Sequence, residues 1–333
     1  MAPTRSSAAI GRTVLAVAFA LGTVALPIGL LDVGQPLGDG LAVIVGLSAL
    51  AVPLAWVALR LDRLSWSAWA VVAPALGVAV YSVVTGFHNG LTDEPYAMPA
   101  FAGPLLHGHN PYVDPVSITY NQYGTVYTID PTYVYLPVLI FLQPFVVSYR
   151  WFTVASWAVM VVLLRRRPVA LVAVGQATLG LFAASGFNDF PVLLLLTLGT
   201  VGVEGHRQKW AEWLSLGCKQ FANVFVIAYH AIRRDVRGVV TAVVVTVLFA
   251  VPFLLWNAGA FLCGAVILWP SSCGNGVTGG FFGHINYWAW PVWALGVFFE
   301  PLRAAVRRRF GRSAPAPATD GLSSAAGTTP GEP

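Results

Sequence analysis

Two acidic residues, Asp93 and Glu94, stand side by side in the stretch FHNGLTDEPYAMPAFAGPLLHGHNPY, residues 87–112. A carboxylate there can act as a general base, or hold a divalent cation through its oxygens. The plainer alternative is a solvated acidic pair in a loop. Two isolated cations accompany them: Arg150, and Lys219 in the middle of the apolar run WLSLGCKQFANVFVIAY. An ionisable group at membrane depth costs about 2.5–3.5 kcal/mol on insertion scales, so it faces a cavity or a partner unless it reaches the headgroups. Arg150 can snorkel, whereas Lys219, apolar on both sides, calls for an anionic partner. A third locus is SGFNDFP, residues 185–191, where Asn188 and Asp189 either cap a helix or contact a substrate.

The elements that must position these groups are set by an apolar chain. Of 333 residues, 57% are hydrophobic and 10% charged, with a mean hydropathy of +0.71. That composition is outside the range of soluble domains and points to a polytopic membrane protein. The net charge of +5 sits in short clusters between apolar runs, the pattern of cytoplasmic anchors, so nucleic acid is excluded as a partner and the lipid bilayer is implied. The sequence predicts an all-α membrane helical bundle of about 8–10 transmembrane helices, with crossings near 13–31, 41–59, 66–86, 146–164, 169–185, 190–203, 238–256 and 284–302. The positive clusters Arg5/Arg12, Arg60/Arg63, Arg165–Arg167, Arg207/Lys209, Arg233/Arg234/Arg237 and Arg303/Arg307–Arg309 all face the cytoplasm on this scheme, together with both termini. The parity requires two broken, non-crossing segments: 133–145, interrupted by Pro137 and Pro144, and 211–232, which enters from inside and returns; if 211–232 crosses instead, the Arg233 cluster lands outside and breaks the charge rule once.

The long segment 87–132 is then external. No Lys or Arg occurs from Leu64 to Tyr149, and the segment carries Asp93, Glu94, Asp114, Asp130, His88, His107, His109 and a dense set of tyrosines. A loop of that length is functional or disordered, and its aromatic content argues against disorder. Residues 1–310 read as one transmembrane domain (1–64 an N-terminal helix pair, 65–240 a core, 241–310 the C-terminal helices), and 311–333 as a disordered cytoplasmic tail. The three cysteines lack metal-ligand spacing; at most Cys263 and Cys273 close a small external loop. In the Gly-rich segment before the last crossing, with His284, Asn286 and Tyr287, the Trp and Tyr residues read as a membrane belt.

Four stretches together resemble the GT-C superfamily of polytopic glycosyltransferases that use polyprenyl-phosphate sugars, especially its bacterial mannosyltransferase-like branch. TDEPYAMPAFAGPLLHGHNPY is similar to the external acidic motif, followed by a short helix and a Gly-x-Asn-Pro-Tyr turn. YVYLPVLIFLQP, residues 133–144, resembles the Tyr-Pro-Pro segment, with Leu136 where the first Pro is usual. SGFNDFPVLLLL resembles the Gly-Gln-x-Asn stretch at Asn188, and SLGCKQFANVFVI the Lys-Gln step at Lys219 and Gln220. The resemblance spans about residues 66–240. It implies an enzyme of the cell membrane in which Asp93, with Glu94 adjacent, removes a proton from an acceptor hydroxyl that attacks the anomeric carbon with inversion. Arg150 and Lys219 would meet the lipid phosphate. His109, Asn110, Tyr112, Tyr135, Asn188, Asp189 and Gln220 are the further substrate-binding candidates. The donor is a polyprenyl-phosphate-linked sugar; the acceptor is a glycolipid, glycan or protein. No cofactor is fixed, although the carboxylates or histidines leave room for a divalent cation. A lipid-linked sugar flippase, or a non-catalytic subunit of a cell-envelope glycan assembly, is the alternative.

Overall fold

The computed structural model describes residues 64–86, 92–122, 125–143, 146, 148–267, 290–294 and 297–298. The expected crossings at 13–31 and 41–59, the terminal Arg clusters with Arg60/Arg63, the tail 311–333, His88, and the segment holding His284, Asn286 and Tyr287 lie outside the described residues.

The described chain is mostly helical. Helix α1, Leu64–Thr85, is rich in Ala and Val and carries Pro74 inside it. It packs against α5, Pro168–Val174, and most extensively against α6, Ala177–Ser185. Small residues allow that approach: a Cβ on Gly180 of α6 would lie 2.6 Å from the Ala75 carbonyl oxygen of α1. Backbone cannot yield as a side chain can, so Gly180→Ala is expected to destabilise the fold by about 1–3 kcal/mol. Gly103 meets nothing within 4 Å, so Gly103→Ala, in an exposed part of its helix, is the matched control; heat denaturation in detergent compares them.

The expected crossing at 169–185 is two helices, not one. Trp157 donates its indole N–H to the Val174 carbonyl at 2.9 Å, the acceptor that a continuous helix would offer to residue 178. Gln176 is accordingly extended (φ −73°, ψ 148°) and restarts the chain as α6. A second reversal follows at Gly186, whose φ of +91° is left-handed and ends α6. The chain turns by 119° into α7, Asp189–Thr200. Helix α4, Tyr149–Leu163, lies against α1, α6 and α7.

The two segments expected to be broken are broken. Residues 131–136 are irregular, with a bend at Tyr135, and lead into a single short helix, α3, Val138–Leu142. Residues 209–232 form α8, Lys209–Leu216, and α9, Gln220–Ile232, separated by Gly217–Lys219. The two breaks meet, because the Val138 N–H donates to the Gly217 carbonyl at 2.8 Å. Helix α10, Val236–Phe261, continues through a π-helical turn, Leu262–Ile267, and packs on α9. It is long and apolar enough to cross a membrane, with the bent α6–α7 pair a second if counted as one span. Its apolar residues face outward: Val236 is 72%, Leu248 64% and Leu255 83% exposed.

The segment expected as an external loop is largely structured. Helix α2, Glu94–Leu106, starts with Pro95 in its first turn, where a missing N–H costs nothing. A turn over 107–114 follows, then an antiparallel hairpin of β1, Ile118–Gln122, and β2, Thr125–Ile129. Cys263 is disulfide-bonded and Cys218 is a buried thiol; Cys273 lies outside the described residues.

Candidate functional site

The left-handed Gly186 is seated against Pro95, whose ring a Cβ there would strike at 2.9 Å. The α6–α7 turn is thereby held over the head of α2. Glu94, the first residue of α2, is buried, and its Oε2 accepts the Asn188 backbone N–H at 2.6 Å while its Oε1 accepts the Tyr135 hydroxyl at 2.6 Å. One residue on, Asp189 Oδ1 accepts from the Lys219 ammonium at 2.6 Å and from the Trp290 indole N–H. Both members of that ion pair are buried, and the ammonium also sits 4.7 Å from the centre of the Tyr135 ring. Asp189 is thus the first residue of α7 and an ion-pair partner, while the cap position itself belongs to Asn188.

Lys219 can reach Asp189 because it is extended (φ −145°, ψ 143°) at the break between α8 and α9. Gln220 fixes that break by donating to the Val134 carbonyl at 2.9 Å and to the Ala265 carbonyl. Glu94, Tyr135, Asn188, Asp189, Lys219 and Gln220, drawn from four separate stretches, form one connected polar cluster. Two buried atoms in or beside it, Asn188 Oδ1 and the Tyr149 hydroxyl, have no hydrogen-bond partner among the described residues; Tyr149 lies within electrostatic reach of both carboxylates. Such groups are satisfied when a bound molecule or water supplies the missing partner.

The two adjacent acids have different surroundings. Burial pushes the Glu94 carboxyl up from 4.5 to about 7, with Asp189 adding to the rise; Lys219 and the two hydrogen bonds oppose it. Asp93 remains half-buried, makes no cap bond to α2, and lies close enough to the Tyr120 hydroxyl to disfavour its ionisation. Because the folded protein holds the Glu94 proton more tightly than the unfolded chain, this group's stabilising contribution is complete below pH 4.5 and is lost as pH rises through 7. Glu94→Gln is expected to flatten that part of the stability profile between pH 5 and 8, read as the difference between the two proteins' thermal midpoints in detergent.

Arg150, at the start of α4, donates to the Tyr96 hydroxyl at 2.9 Å and lies 5.4 Å from the centre of that ring. Three of the expected site residues stand apart. His109 is exposed, 3.5 Å from Asp114 Oδ2. Asn110 Oδ1 accepts the Tyr112 backbone N–H at 3.0 Å and so builds the turn. Tyr112 is buried among Tyr133, Phe253 and Phe261, and its hydroxyl donates to the Tyr135 carbonyl at 2.6 Å. It meets the cluster at the Tyr135 backbone. Among the described residues no group of three His, Cys, Asp or Glu side chains is arranged to hold a metal ion.

A second polar network was not anticipated. His230 of α9 is buried between Glu212 Oε1 and Asp235 Oδ2, at 2.8 Å from each. Glu212 also pairs with Arg207, whose guanidinium stacks on Tyr229. A glutamate inside the apolar run KWAEWLSL was the available signal.

No family model, curated protein or solved structure matches the chain.

Proposed function

We propose that the chain is a polytopic membrane glycosyltransferase of the GT-C kind, transferring a sugar from a polyprenyl-phosphate donor to an acceptor hydroxyl at the outer face of the cell membrane. The observation that carries this reading is the convergence of all four resembling stretches on one cluster: Glu94 bonded to Asn188 and Tyr135, and Lys219 bonded to the neighbouring Asp189. The outward apolar face of α10 supports the membrane setting. Both termini cytoplasmic and residues 87–132 external complete the topology proposed.

The two acids divide the work. Asp93, reachable and not committed to a cap bond, takes the proton from the acceptor hydroxyl as its oxygen forms the new bond to the anomeric carbon. The bond from that carbon to the phosphate oxygen breaks, with inversion, and the departing lipid phosphate carries the charge. Arg150 is the cation placed to meet it. Lys219, expected to do the same, is committed to Asp189 and acts instead by fixing the α7 turn on which Glu94 rests. Glu94 anchors the head of α2 and so aims Asp93.

The test is transfer of radiolabelled sugar from a panel of polyprenyl-phosphate donors in membranes holding the wild type or Asp93→Asn at matched amounts. Donor-dependent transfer lost in the variant supports the reading. If no donor gives transfer, the flippase or partner-subunit reading replaces it.

A further inference from the structure

The hairpin carries a feature that the reaction described above does not use. Tyr120 and Tyr127 are directly paired across β1 and β2, and their rings are near-parallel with centroids 5.9 Å apart. Tyr120 in turn stacks on Tyr96 of α2 at 5.8 Å, and the row ends on the Arg150 guanidinium. Ile118, two residues before Tyr120 and therefore on the same face of the strand, is buried and pins that face to the body of the protein. Centroid separations of this size between near-parallel rings mean slipped stacking, which leaves part of each ring face uncovered. Tyr127, at the outer end, is 43% exposed. The row runs from the open hairpin inward to the head of α2, where the Tyr96 backbone N–H donates to the Asp93 carbonyl at 2.9 Å.

We propose that Tyr96, Tyr120 and Tyr127 form the acceptor subsite and that it takes a neutral oligosaccharide, its ring faces lying along the row with the reacting hydroxyl at Asp93. The inference rests on the glycosyltransferase reading and narrows its acceptor from any hydroxyl-bearing molecule to a glycan chain. Three features select that class. Tyrosine offers a rigid apolar face with a polar edge, which suits a sugar's alternation of C–H and O–H. On the face that carries the row, Thr125, two residues before Tyr127, is an exposed hydrogen-bonding group without charge, and the opposite face, with Thr119, Asn121 and Thr128, carries no charge either. The whole stretch from Leu64 to Tyr149 lacks Lys and Arg while holding Asp93, Glu94, Asp114 and Asp130. Arg150 stands only at the inner end of the row, so a phosphorylated or carboxylated acceptor lying along the hairpin would meet no cation there, and neither would an anionic membrane surface. A neutral chain of sugars needs none. Three rings in succession also give footholds for more than one sugar residue.

The experiment uses the full chain in nanodiscs without donor and measures binding of mannotetraose, arabinotetraose and maltotetraose by saturation-transfer NMR. At least one tetrasaccharide is expected to bind saturably, with Tyr127→Ala weakening it tenfold or more. Tyr127→Phe, which keeps the ring, should retain most of the binding and shows that the hairpin survives. Asp93→Asn is read for transfer alone, and binding is measured without donor, so binding and chemistry are read separately. The inference is overturned if none of the three binds, or if Tyr127→Ala binds as well as the wild type. It is also overturned if a nitroxide on Val126→Cys reports immersion in lipid, which would make the row a membrane belt. Transfer that is abolished by Asp93→Asn but has an acceptor KM indifferent to Tyr127→Ala would sink the subsite and leave the glycosyltransferase reading standing. Tyr127-dependent binding without transfer from any donor would do the reverse.

Discussion

Asp93→Asn is expected to lower sugar transfer by about 10²–10⁴-fold, the range that general-base catalysis contributes, with no loss of folded protein from the membrane. The second half of that expectation follows from the structure. Asp93 makes no side-chain bond to the head of α2, and its backbone carbonyl, which accepts from Tyr96 and Ala97, is untouched by the substitution. Asn also serves as well as Asp before a helix. The acid next to it behaves differently, because Glu94 is walled in by Tyr135, Asn188 and the Asp189–Lys219 pair. Glu94→Gln keeps an oxygen for the Asn188 N–H and an amide that can donate to the Tyr135 hydroxyl, so it should retain most of the transfer while changing the pH profile of stability. Transfer measured side by side with the amount of folded protein separates the two acids. Should Asp93→Asn transfer sugar normally while Glu94→Gln does not, the base would be Glu94 and the roles assigned above would be exchanged.

The two acids were legible in the sequence as a pair, but their separation into a reachable and a buried group was not. Burial of Glu94 depends on Gly186 turning α6 into α7 over Pro95, a contact between residues about ninety apart that no local pattern records. One broken segment was legible for a local reason, since Pro137 and Pro144 interrupt it. The other, 211–232, was expected from the parity of the basic clusters, and it is divided at Gly217–Lys219. The split of 169–185 was hidden because its cause is Trp157, a side chain from another helix that claims the Val174 carbonyl. The hairpin was overlooked although its alternating β-branched and aromatic residues, ITYNQ and TVYTI, were a signal in plain view. Length and tyrosine content drew the reading toward a loop. The pairing of Glu212 with His230 was not legible because it joins residues eighteen apart on two helices separated by the break at Gly217–Lys219.

Lys219→Met should produce the largest loss of stability. Removing one partner of a buried ion pair leaves the other charge uncompensated and costs about 3–5 kcal/mol. Here the stranded group is Asp189, which is fully buried and would keep the Trp290 N–H as a partner but lose the only cation bonded to it among the described residues. Lys219 also attracts charge onto Glu94, so without it Glu94 would hold its proton to higher pH than it does now. The second variant that makes the test decisive is Lys219→Met with Asp189→Asn. Both charges are then gone, the Asn oxygen still accepts from Trp290, and most of the lost stability should return, since a buried pair replaced as a unit is often close to neutral. Heat denaturation of the three proteins in the same detergent reads the effect, with transfer activity recorded alongside. A double variant that regains stability and transfer together means that Lys219 works through Asp189 and the α7 turn. A single variant that is as stable as the wild type yet inactive would mean that the ammonium leaves Asp189 during the reaction and meets the donor phosphate itself, the role that the sequence alone had assigned to it.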